Sequence, residues 1–219
     1  MASAFITFEG IDGCGKSTQL RMLASELRLR GHEVVDTREP GGTPLGARIR
    51  ELLLDAQESV EPLAELLLFA ADRAQHVRAL VRPALASDHI VLSDRYADAT
   101  VAYQGAGREF SPELIAEVVA LATDGLRPDM TLVFDLAVDE SRRRAKRRAQ
   151  RGETHDRLDL EDFAFHARVR EAYLEIAARD PDRVKVVDAN GSVQETHHAV
   201  MELVIPFLEF KVQRVRRPF

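Results

Sequence analysis

The stretch GIDGCGKST, residues 10–18, directly follows the apolar run AFITFE and constrains the fold more than any other feature. Gly10 and Gly15 bracket four residues and are followed by Lys16 and Ser17, which matches the pattern GxxxxGK[S/T] at every specified position. Glycines let consecutive backbone N–H groups point inward, and the following helix presents its positive end to an anion. The motif therefore predicts a strand, a phosphate-binding loop and a helix, in that order.

Within this loop, Lys16 supplies a positive charge for the β- and γ-phosphates, and Ser17 is a predicted Mg²⁺ ligand. The only cysteine is Cys14, which cannot form an intrachain disulfide, so we interpret it as a small loop residue. The residues expected to bind ATP here are Gly10, Ile11, Asp12, Gly13, Cys14, Gly15, Lys16, Ser17 and Thr18.

Short apolar runs alternate with helical patterns along the whole chain. The runs are AFITF, EVVDT, HIVLS, DMTLVF and VKVVDA, and the helical patterns cover about 16–30, 44–54, 62–86, 112–123 and 193–210. We also expect a polar turn after the third run and a charged helix after the fourth. This alternation predicts an α/β fold of three layers, with a five-stranded parallel sheet flanked by helices.

The composition and net charge exclude several classes of protein. The 219 residues are 45% hydrophobic, enough for one core, and the formal net charge is −6. A negative net charge argues against a surface built to hold nucleic acid. No basic-then-apolar leader precedes Phe5, and no uncharged stretch approaches the roughly 18 residues needed to span a bilayer. We therefore expect a cytoplasmic enzyme without a nucleic-acid or membrane partner.

Two apolar runs end in aspartate, Asp94 in IVLSD and Asp135 in TLVFD. Ligands of parallel sheets bind beyond the carboxyl ends of the strands. Asp94 is followed by Arg95, so that strand end would bring a carboxylate for Mg²⁺ and a cation for the phosphates. For Asp135 we favour capping of the next helix.

The phosphate loop predicts a bound nucleotide but not its use. The terminal phosphate could be transferred to water, the nucleotide could control a protein switch, or the phosphate could be transferred to a second small molecule. A nucleoside monophosphate is already ionised near neutral pH, since its second pKa is about 6, and needs no general base. Transfer of phosphate from ATP to a nucleoside monophosphate therefore requires positive charge and in-line positioning. The sequence has many arginines near strand ends and no histidine placed as a convincing base.

The densest positive charge lies at residues 142–151, where seven of ten residues are basic and none is acidic. Arg144, Arg147 or Arg148, and Arg151 recur at helical spacing on one face. A solvated helix face and a nucleic-acid contact are the alternatives. Beside a phosphate loop, we favour a mobile lid that closes over ATP and excludes water.

A candidate acceptor site is carried by LLLFAADRAQH and DRYADATVAYQGAGR. Phe69 and Arg73 are four residues apart on a predicted helix and share one face, so a ring could stack on a base beside a guanidinium that bonds its edge. Thr100, Tyr103 and Gln104 supply small polar and amide groups for a base or sugar. Core packing of Phe69 and local turn capping by the polar residues are the alternatives.

Taken together, GIDGCGKST, TREPGGTPLG, LLLFAADRAQH, LSDRYADATVAYQGAGR, RPDMTLVFDL and the arginine segment followed by DRLDLED resemble, in order and spacing, the bacterial thymidylate (dTMP) kinases. The resemblance extends from about Ala4 to about Val204. It implies a P-loop kinase fold in a single domain, residues 1–219, with a short Arg-rich lid at about 142–158. It further implies transfer of phosphate from Mg·ATP to dTMP, giving dTDP, and a homodimer formed through packed helices.

The resemblance also implies roles for individual positions. Asp12 matches an acid that contacts the sugar 3′-hydroxyl and helps arrange phosphate and metal. Phe69 matches the ring stacked on thymine, Arg73 matches the guanidinium that bonds a thymine carbonyl, and Tyr103 matches a tyrosine against the 2′ side of the sugar. The remaining dTMP-binding positions, which bind phosphate, read the other base edge or line the acceptor site, are Glu39, Arg50, Arg95, Thr100 and Gln104. From the loop motif and the strand end, we expect Ser17 and Asp94 to be the metal ligands, with Asp12 acting through water as the alternative to Asp94.

One position departs from part of the family. Some members carry a catalytic arginine directly after the loop aspartate, where this chain has Gly13. The missing charge would then come from the lid. Arg151 is the best match, with Arg147 and Arg148 as rivals that are also expected to contact ATP. The catalytic residues expected on this basis are Asp12, Lys16, Arg95 and Arg151.

Two other classes of function stay open at this stage. A kinase of the same fold could act on another nucleoside monophosphate or a nucleoside, although Phe69, Arg73 and Gln104 favour a thymine-like base. A nucleotide-dependent switch or a nucleic-acid-stimulated ATPase would belong to a different class. The guanine-specifying NKxD pattern expected of a switch is absent from the sequence.

Overall fold

The computed structural model describes residues 3–54, 59–149 and 157–216. Its strands are β1 (Ala4–Glu9), β2 (Val34–Arg38), β3 (Ile90–Asp94), β4 (Met130–Asp135) and β5 (Val184–Asp188). They pair in parallel in the order β2-β3-β1-β4-β5. The predicted five-stranded parallel sheet is therefore confirmed.

Helices connect the strands and cover both faces of the sheet. They are α1 (Lys16–Leu29), α2 (Pro44–Leu54), α3 (Pro62–His76), α4 (Arg82–Ala86), α5 (Ala97–Thr100), α6 (Pro112–Thr123), α7 (Val138–Ala149), α8 (Phe163–Arg179) and α9 (Val193–Arg216). Two π-helical segments, Val77–Val81 and Val101–Gly107, continue α3 and α5, and Leu158–Leu160 forms a 3₁₀ turn. Among the residues described, no helix is both long and apolar enough to span a bilayer.

Alternation along β1 explains the layered core. All six residues of β1 are buried, and successive side chains of a strand point to opposite faces. Ile6 and Phe8 pack with residues of α1 and α9 on one face, whereas Phe5 packs with Val77 and Val81 on the other. Because the central strand contributes to both sides, it reads as a continuous apolar run.

The strand order places the functional crevice. The chain leaves β1 for β2 and β3 on one side of the sheet and then crosses to β4 and β5 on the other. The carboxyl end of β1 is consequently the topological switch point, where ligands of such sheets bind. The loop 10–15 lies directly after it.

The structure corrects three details of the sequence interpretation. The expected polar turn after β3 is helical from Ala97 to Gly107, and the closing helix runs to Arg216 rather than about 210. The single charged helix expected after β4 is two helices, α7 and α8. α8 buries Phe165, Val169 and Tyr173 at four-residue spacing, an amphipathic signal that the sequence contained.

Candidate active site

Positive backbone φ angles shape the phosphate loop. Gly10, Gly13 and Gly15 have φ values of 132°, 79° and 98°, which L-residues rarely adopt. A Cβ on Gly10 would lie 2.6 Å from the carbonyl oxygen of Phe134. The first glycine of the motif is thus required both by conformation and by the close approach of β4.

Lys16 spans this loop. Its ammonium donates hydrogen bonds to the carbonyl oxygens of Gly10 and Ile11, each at 3.0 Å, and the residue is buried. Ile11 and Cys14 point into the core rather than into the cavity, so they can offer a ligand only backbone groups. Burial raises the pKa of the Cys14 thiol, which supports its interpretation as an inert loop residue.

Ser17 and Asp94 meet at the start of α1. The Ser17 hydroxyl donates to a carboxylate oxygen of Asp94, and both residues line the cavity. Hard oxygen ligands of this kind suit Mg²⁺, which in phosphate sites uses few protein ligands and takes the rest from water and phosphate. The described residues contain no cluster of three or more His, Cys, Asp or Glu that could hold a metal ion.

Arg95 lies between the phosphate loop and the acceptor pocket. Its guanidinium donates to Asp12 at 2.6 Å, to the Tyr103 hydroxyl at 2.9 Å and to the carbonyl oxygen of Gly10 at 3.1 Å. Its backbone φ is 73°, an uncommon conformation for a residue with a side chain. These contacts fix a cation at the mouth of the loop.

Asp12 is held ionised beside that cation. Burial alone would raise the pKa of Asp12, but Arg95 and Lys16 outweigh burial and hold the pKa well below its usual range. The second carboxylate oxygen accepts a hydrogen bond from the Tyr103 hydroxyl at 2.9 Å. Asp12, Tyr103 and Arg95 therefore form one connected polar group.

Behind Arg95 lies a buried carboxyl that sequence reasoning missed. Burial, together with nearby Asp98, raises the pKa of Glu9 to about 8. Glu9 accepts hydrogen bonds from the Tyr173 hydroxyl at 2.8 Å and from the Tyr96 backbone N–H at 2.7 Å. Because Tyr173 also accepts from Arg95 at 3.3 Å, this network supports Arg95 from the core side.

Arg73 is buried at the other end of the cavity, where it donates to Glu39 at 2.8 Å, to the Thr100 hydroxyl at 2.7 Å and to the carbonyl oxygen of Tyr96 at 2.8 Å. Glu39 also bonds His76 at 2.7 Å. Arg73 is thus locked in place by the carboxylate, and it still lines the cavity.

One cavity of about 640 Å³ connects the two ends. Phe69 is half-buried on its wall, and Arg50, which donates to the carbonyl oxygen of Pro40 at 3.0 Å, lies on the same wall. The predicted residues that line it are Asp12, Gly13, Gly15, Lys16, Ser17, Thr18, Glu39, Arg50, Phe69, Arg73, Asp94, Arg95, Thr100, Tyr103, Gln104 and Arg147. Arg38, at the end of β2, also lines it and was missed, although a strand-end arginine is a signal the sequence contained.

α7, at the base of the predicted lid, docks onto the phosphate loop. The Ser141 hydroxyl donates to the carbonyl oxygen of Asp12 at 2.5 Å. Arg144 donates to the carbonyl oxygen of Ala189 at 3.1 Å and pairs with Glu140, an acid just before the basic run. Exposed Arg147 lines the cavity. The side chain of Arg148 and all of Arg151 lie outside the described residues.

The other strand-end aspartate has a different role from the one we expected. Asp135 accepts two hydrogen bonds from Arg170 of α8, at 2.6 and 2.9 Å. The capping interpretation is therefore wrong, because an ion pair with a later helix uses the carboxylate. Arg170 could not be assigned as its partner from local spacing, since the two are 35 residues apart.

Comparisons with known proteins identify the family of the chain. A family model described as thymidylate kinase matches residues 8–200. A thymidylate kinase of Geotalea uraniireducens is 47% identical over 204 residues, covering 92% of this chain and 96% of the relative. One from Nitratidesulfovibrio vulgaris is 51% identical, covering 91% and 95%.

A solved structure gives the same result. The crystal structure of thymidylate kinase from Ehrlichia chaffeensis superposes with a TM-score of 0.77 at 35% identity, covering 93% of this chain and 99% of that one. Sequence and fold agree over nearly the whole length, and the chain belongs to the thymidylate kinase family.

Proposed function

We propose that this chain transfers the γ-phosphate of ATP to dTMP, giving dTDP for dTTP synthesis. The observation that carries the proposal is one continuous cavity. At one end lie Lys16 and the phosphate loop, at the other Phe69 and Arg73, and Arg95 lies between them. Two nucleotides placed with their phosphates facing each other would meet at the cation.

The proposed reaction needs little from the protein beyond charge and alignment. The phosphate of dTMP is ionised near neutral pH and attacks without a general base. Lys16 and Arg95 offset the charge of the transferring group, and the ionised Asp12 holds the Arg95 guanidinium in position. Because these groups are hydrogen-bonded before substrate arrives, little reorganisation is required.

Mg²⁺ is part of the proposal. When bound, it would neutralise charge on the phosphate oxygens and help align them. Ser17 and Asp94 are the residues that would hold it, Asp94 directly or through water. A lid arginine, Arg151 with Arg147 and Arg148 as rivals, would supply the further positive charge.

On the acceptor side, Phe69 would stack on the thymine ring and Arg73 would bond a thymine carbonyl. Thr100 and Gln104 would read the other base edge. Tyr103, whose ring lies under the Arg95 guanidinium at 4.7 Å, would lie against the 2′ side of the sugar. Glu39 would line the acceptor site beside Arg73, and Arg50 would bind the acceptor phosphate.

Replacing Phe69 by alanine should weaken dTMP binding by about 1–3 kcal/mol, the range for one lost base stack. Isothermal titration calorimetry with dTMP measures this loss directly. ATP affinity serves as the internal control, since Phe69 lies on the acceptor side of the cavity. An unchanged dTMP affinity would return Phe69 to a packing role.

A coupled assay with ATP and each nucleoside monophosphate in turn tests the proposed function. We expect dTMP to give the highest kcat/KM. Preference for another monophosphate, or for a nucleoside, would favour the related kinase instead. ATP hydrolysis that requires DNA or RNA, with no transfer to any acceptor, would indicate the nucleic-acid-stimulated ATPase.

We also propose that the chain is cytoplasmic and that it forms a homodimer. The dimer is supported by exposed leucines on the neighbouring helices α2, α3 and α6. Leu52, Leu63 and Leu67 are 53%, 52% and 54% exposed, and Leu121 is 83% exposed. Apolar side chains gathered on packed helices are typical of an association surface.

Sedimentation velocity tests the dimer. Leu67→Arg places a charge on this surface, so the variant should sediment as a monomer at concentrations where the parent is a dimer. Leu29→Arg is the matched control, because Leu29 is 84% exposed on α1 and should leave the dimer intact. A monomeric parent, or a dimeric Leu67→Arg variant, would contradict the proposal.

A further inference from the structure

Glu65 is a fully buried carboxylate that none of the roles above uses. It lies on α3 four residues before Phe69 and eight before Arg73, so all three share one helix face. Opposite them, Thr100 bonds Arg73, and Gln104 bonds Glu65. Two hydrogen-bonded pairs, Glu65 with Gln104 and Arg73 with Thr100, thus lie one helical turn before and one turn after Phe69 along α3.

Glu65 receives a dense set of donors. Gln104 Nε2 donates at 2.8 Å, Arg108 donates twice at 3.2 and 3.0 Å, and Arg157 donates at 2.6 Å. Burial alone would raise the pKa of Glu65, but hydrogen bonds from Arg108, Gln104 and Arg157 outweigh burial and lower it. The group is therefore an ionised carboxylate, which only accepts hydrogen bonds.

An acceptor-only partner fixes which end of the Gln104 amide faces it. If the amide were reversed, its carbonyl oxygen would lie against a carboxylate oxygen, with lone pairs facing lone pairs. The NH₂ group must therefore point to Glu65. Because Gln104 is buried and lines the cavity, its carbonyl oxygen is the group left to accept from a ligand.

We propose that Glu65 is a positioning residue that orients the Gln104 amide, so that this wall of the pocket selects a base carrying a ring N–H. The inference rests on the proposed function, since it concerns the base of the acceptor nucleotide. Thymine has a hydrogen on ring N3, whereas N3 of cytosine is an acceptor. An acceptor opposite an acceptor leaves both groups buried and unpaired, which costs about 1–3 kcal/mol, or about 5- to 150-fold.

The first test compares two acceptors that differ at this edge, dTMP and 5-methyl-dCMP, in parent and Glu65→Gln. The variant keeps the size of the side chain but can present either end of its amide to Gln104. We expect the ratio of kcat/KM for dTMP to that for 5-methyl-dCMP to fall by about tenfold or more, through the dTMP value. Equal losses for both acceptors would contradict the proposal.

Arg108→Gln is the matched control. It removes one cation beside Glu65, but Arg157 still donates to the carboxylate, and the carboxylate stays in place to accept from Gln104. We expect a lower melting temperature with an unchanged acceptor ratio. If Arg108→Gln shifted the ratio as much as Glu65→Gln, general loosening of the cluster would explain both and the proposal would fail.

A double-mutant cycle with Gln104→Ala isolates the pathway. If Glu65 acts through Gln104, adding Glu65→Gln to Gln104→Ala should raise the KM for dTMP no further. Additive increases would show an independent role for Glu65 and overturn the proposal.

Should Glu65→Gln fail to fold, the parent protein still gives an answer by NMR. One side-chain amide proton of Gln104, assigned through its loss in Gln104→Ala, should be protected from exchange with and without dTMP. A rapidly exchanging, averaged amide would refute the fixed orientation. Parent enzyme that turns over another acceptor but not dTMP would refute the proposed function, and the amide signal would still report on Glu65.

Discussion

Arg95→Ala should lower kcat for dTMP by about 10³-fold or more, the scale of an arginine that stabilises a transferring phosphoryl group. The parent guanidinium contacts Asp12, Tyr103 and the Gly10 carbonyl oxygen at once. Alanine removes the cation and leaves the half-buried Asp12 carboxylate without its principal partner. Both changes make the site more negative where phosphate charge has to be accommodated.

Arg95→Lys should restore only a small part of this loss. Lysine supplies the charge, but a single ammonium cannot reproduce the planar set of donors that reaches four partners, Tyr173 included. Steady-state kinetics with dTMP and ATP varied separately, together with calorimetric affinities, separates a loss of turnover from a loss of binding.

Arg170→Ala is the matched control for this experiment. Arg170 also pairs with an aspartate at the end of a strand, Asp135 of β4, but it does not line the cavity. We expect kcat to stay within about twofold of the parent, as for a substitution away from the reacting groups. Turnover of Arg95→Ala within a few-fold of the parent would remove Arg95 from the mechanism.

Arg151→Ala should lower kcat by about 10³-fold while leaving ATP and dTMP binding largely intact. The physical reason begins at Gly13, where the family resemblance implies an arginine in some members. A Cβ there would lie 3.1 Å from the Ser141 carbonyl oxygen, and φ is 79°. A side chain at this position would be strained by the positive φ and would crowd the start of α7, so the proposed mechanism takes the charge from the lid instead.

The lid has three candidates, and single alanine variants rank them. If Arg151 is catalytic, Arg147→Ala and Arg148→Ala should mainly raise the KM for ATP, with kcat reduced by about tenfold at most. Rapid-quench measurement of the first turnover keeps product release from hiding the effect. A large kcat loss in Arg147→Ala but none in Arg151→Ala would transfer the role to Arg147, which already lines the cavity.

The fold was predictable where the signal is local. The phosphate loop is recognisable from Gly10, Gly15 and Lys16, which lie within a few residues of one another. The strands are recognisable from their apolar runs. The helical conformation of residues 97–107 was not predictable in this way, because the glycine and β-branched residues of this segment disfavour helix. Its buried Ala102 and Tyr103 pack with residues of α8, so tertiary contacts override the local preference.

The residues of the candidate site also differ in how far the sequence predicts them. Lys16, Ser17 and Arg95 follow strand ends, and their convergence is a consequence of a parallel sheet. Glu9 and Glu65 are carboxylates whose importance comes from complete burial and from partners distant in sequence. For Glu65 those partners are 39 to 92 residues away. A buried carboxylate is not recognisable until its partners are folded around it.

The central claim is that ATP and dTMP bind in one cavity with their phosphates meeting between Lys16 and Arg95. A crystal structure with a thymidine–adenosine bisubstrate analogue tests it most directly. We predict the thymine ring on Phe69, its edge at Arg73 and the phosphate chain between the two cations. A thymidine moiety bound elsewhere, or a phosphate chain that avoids Arg95, would contradict the account.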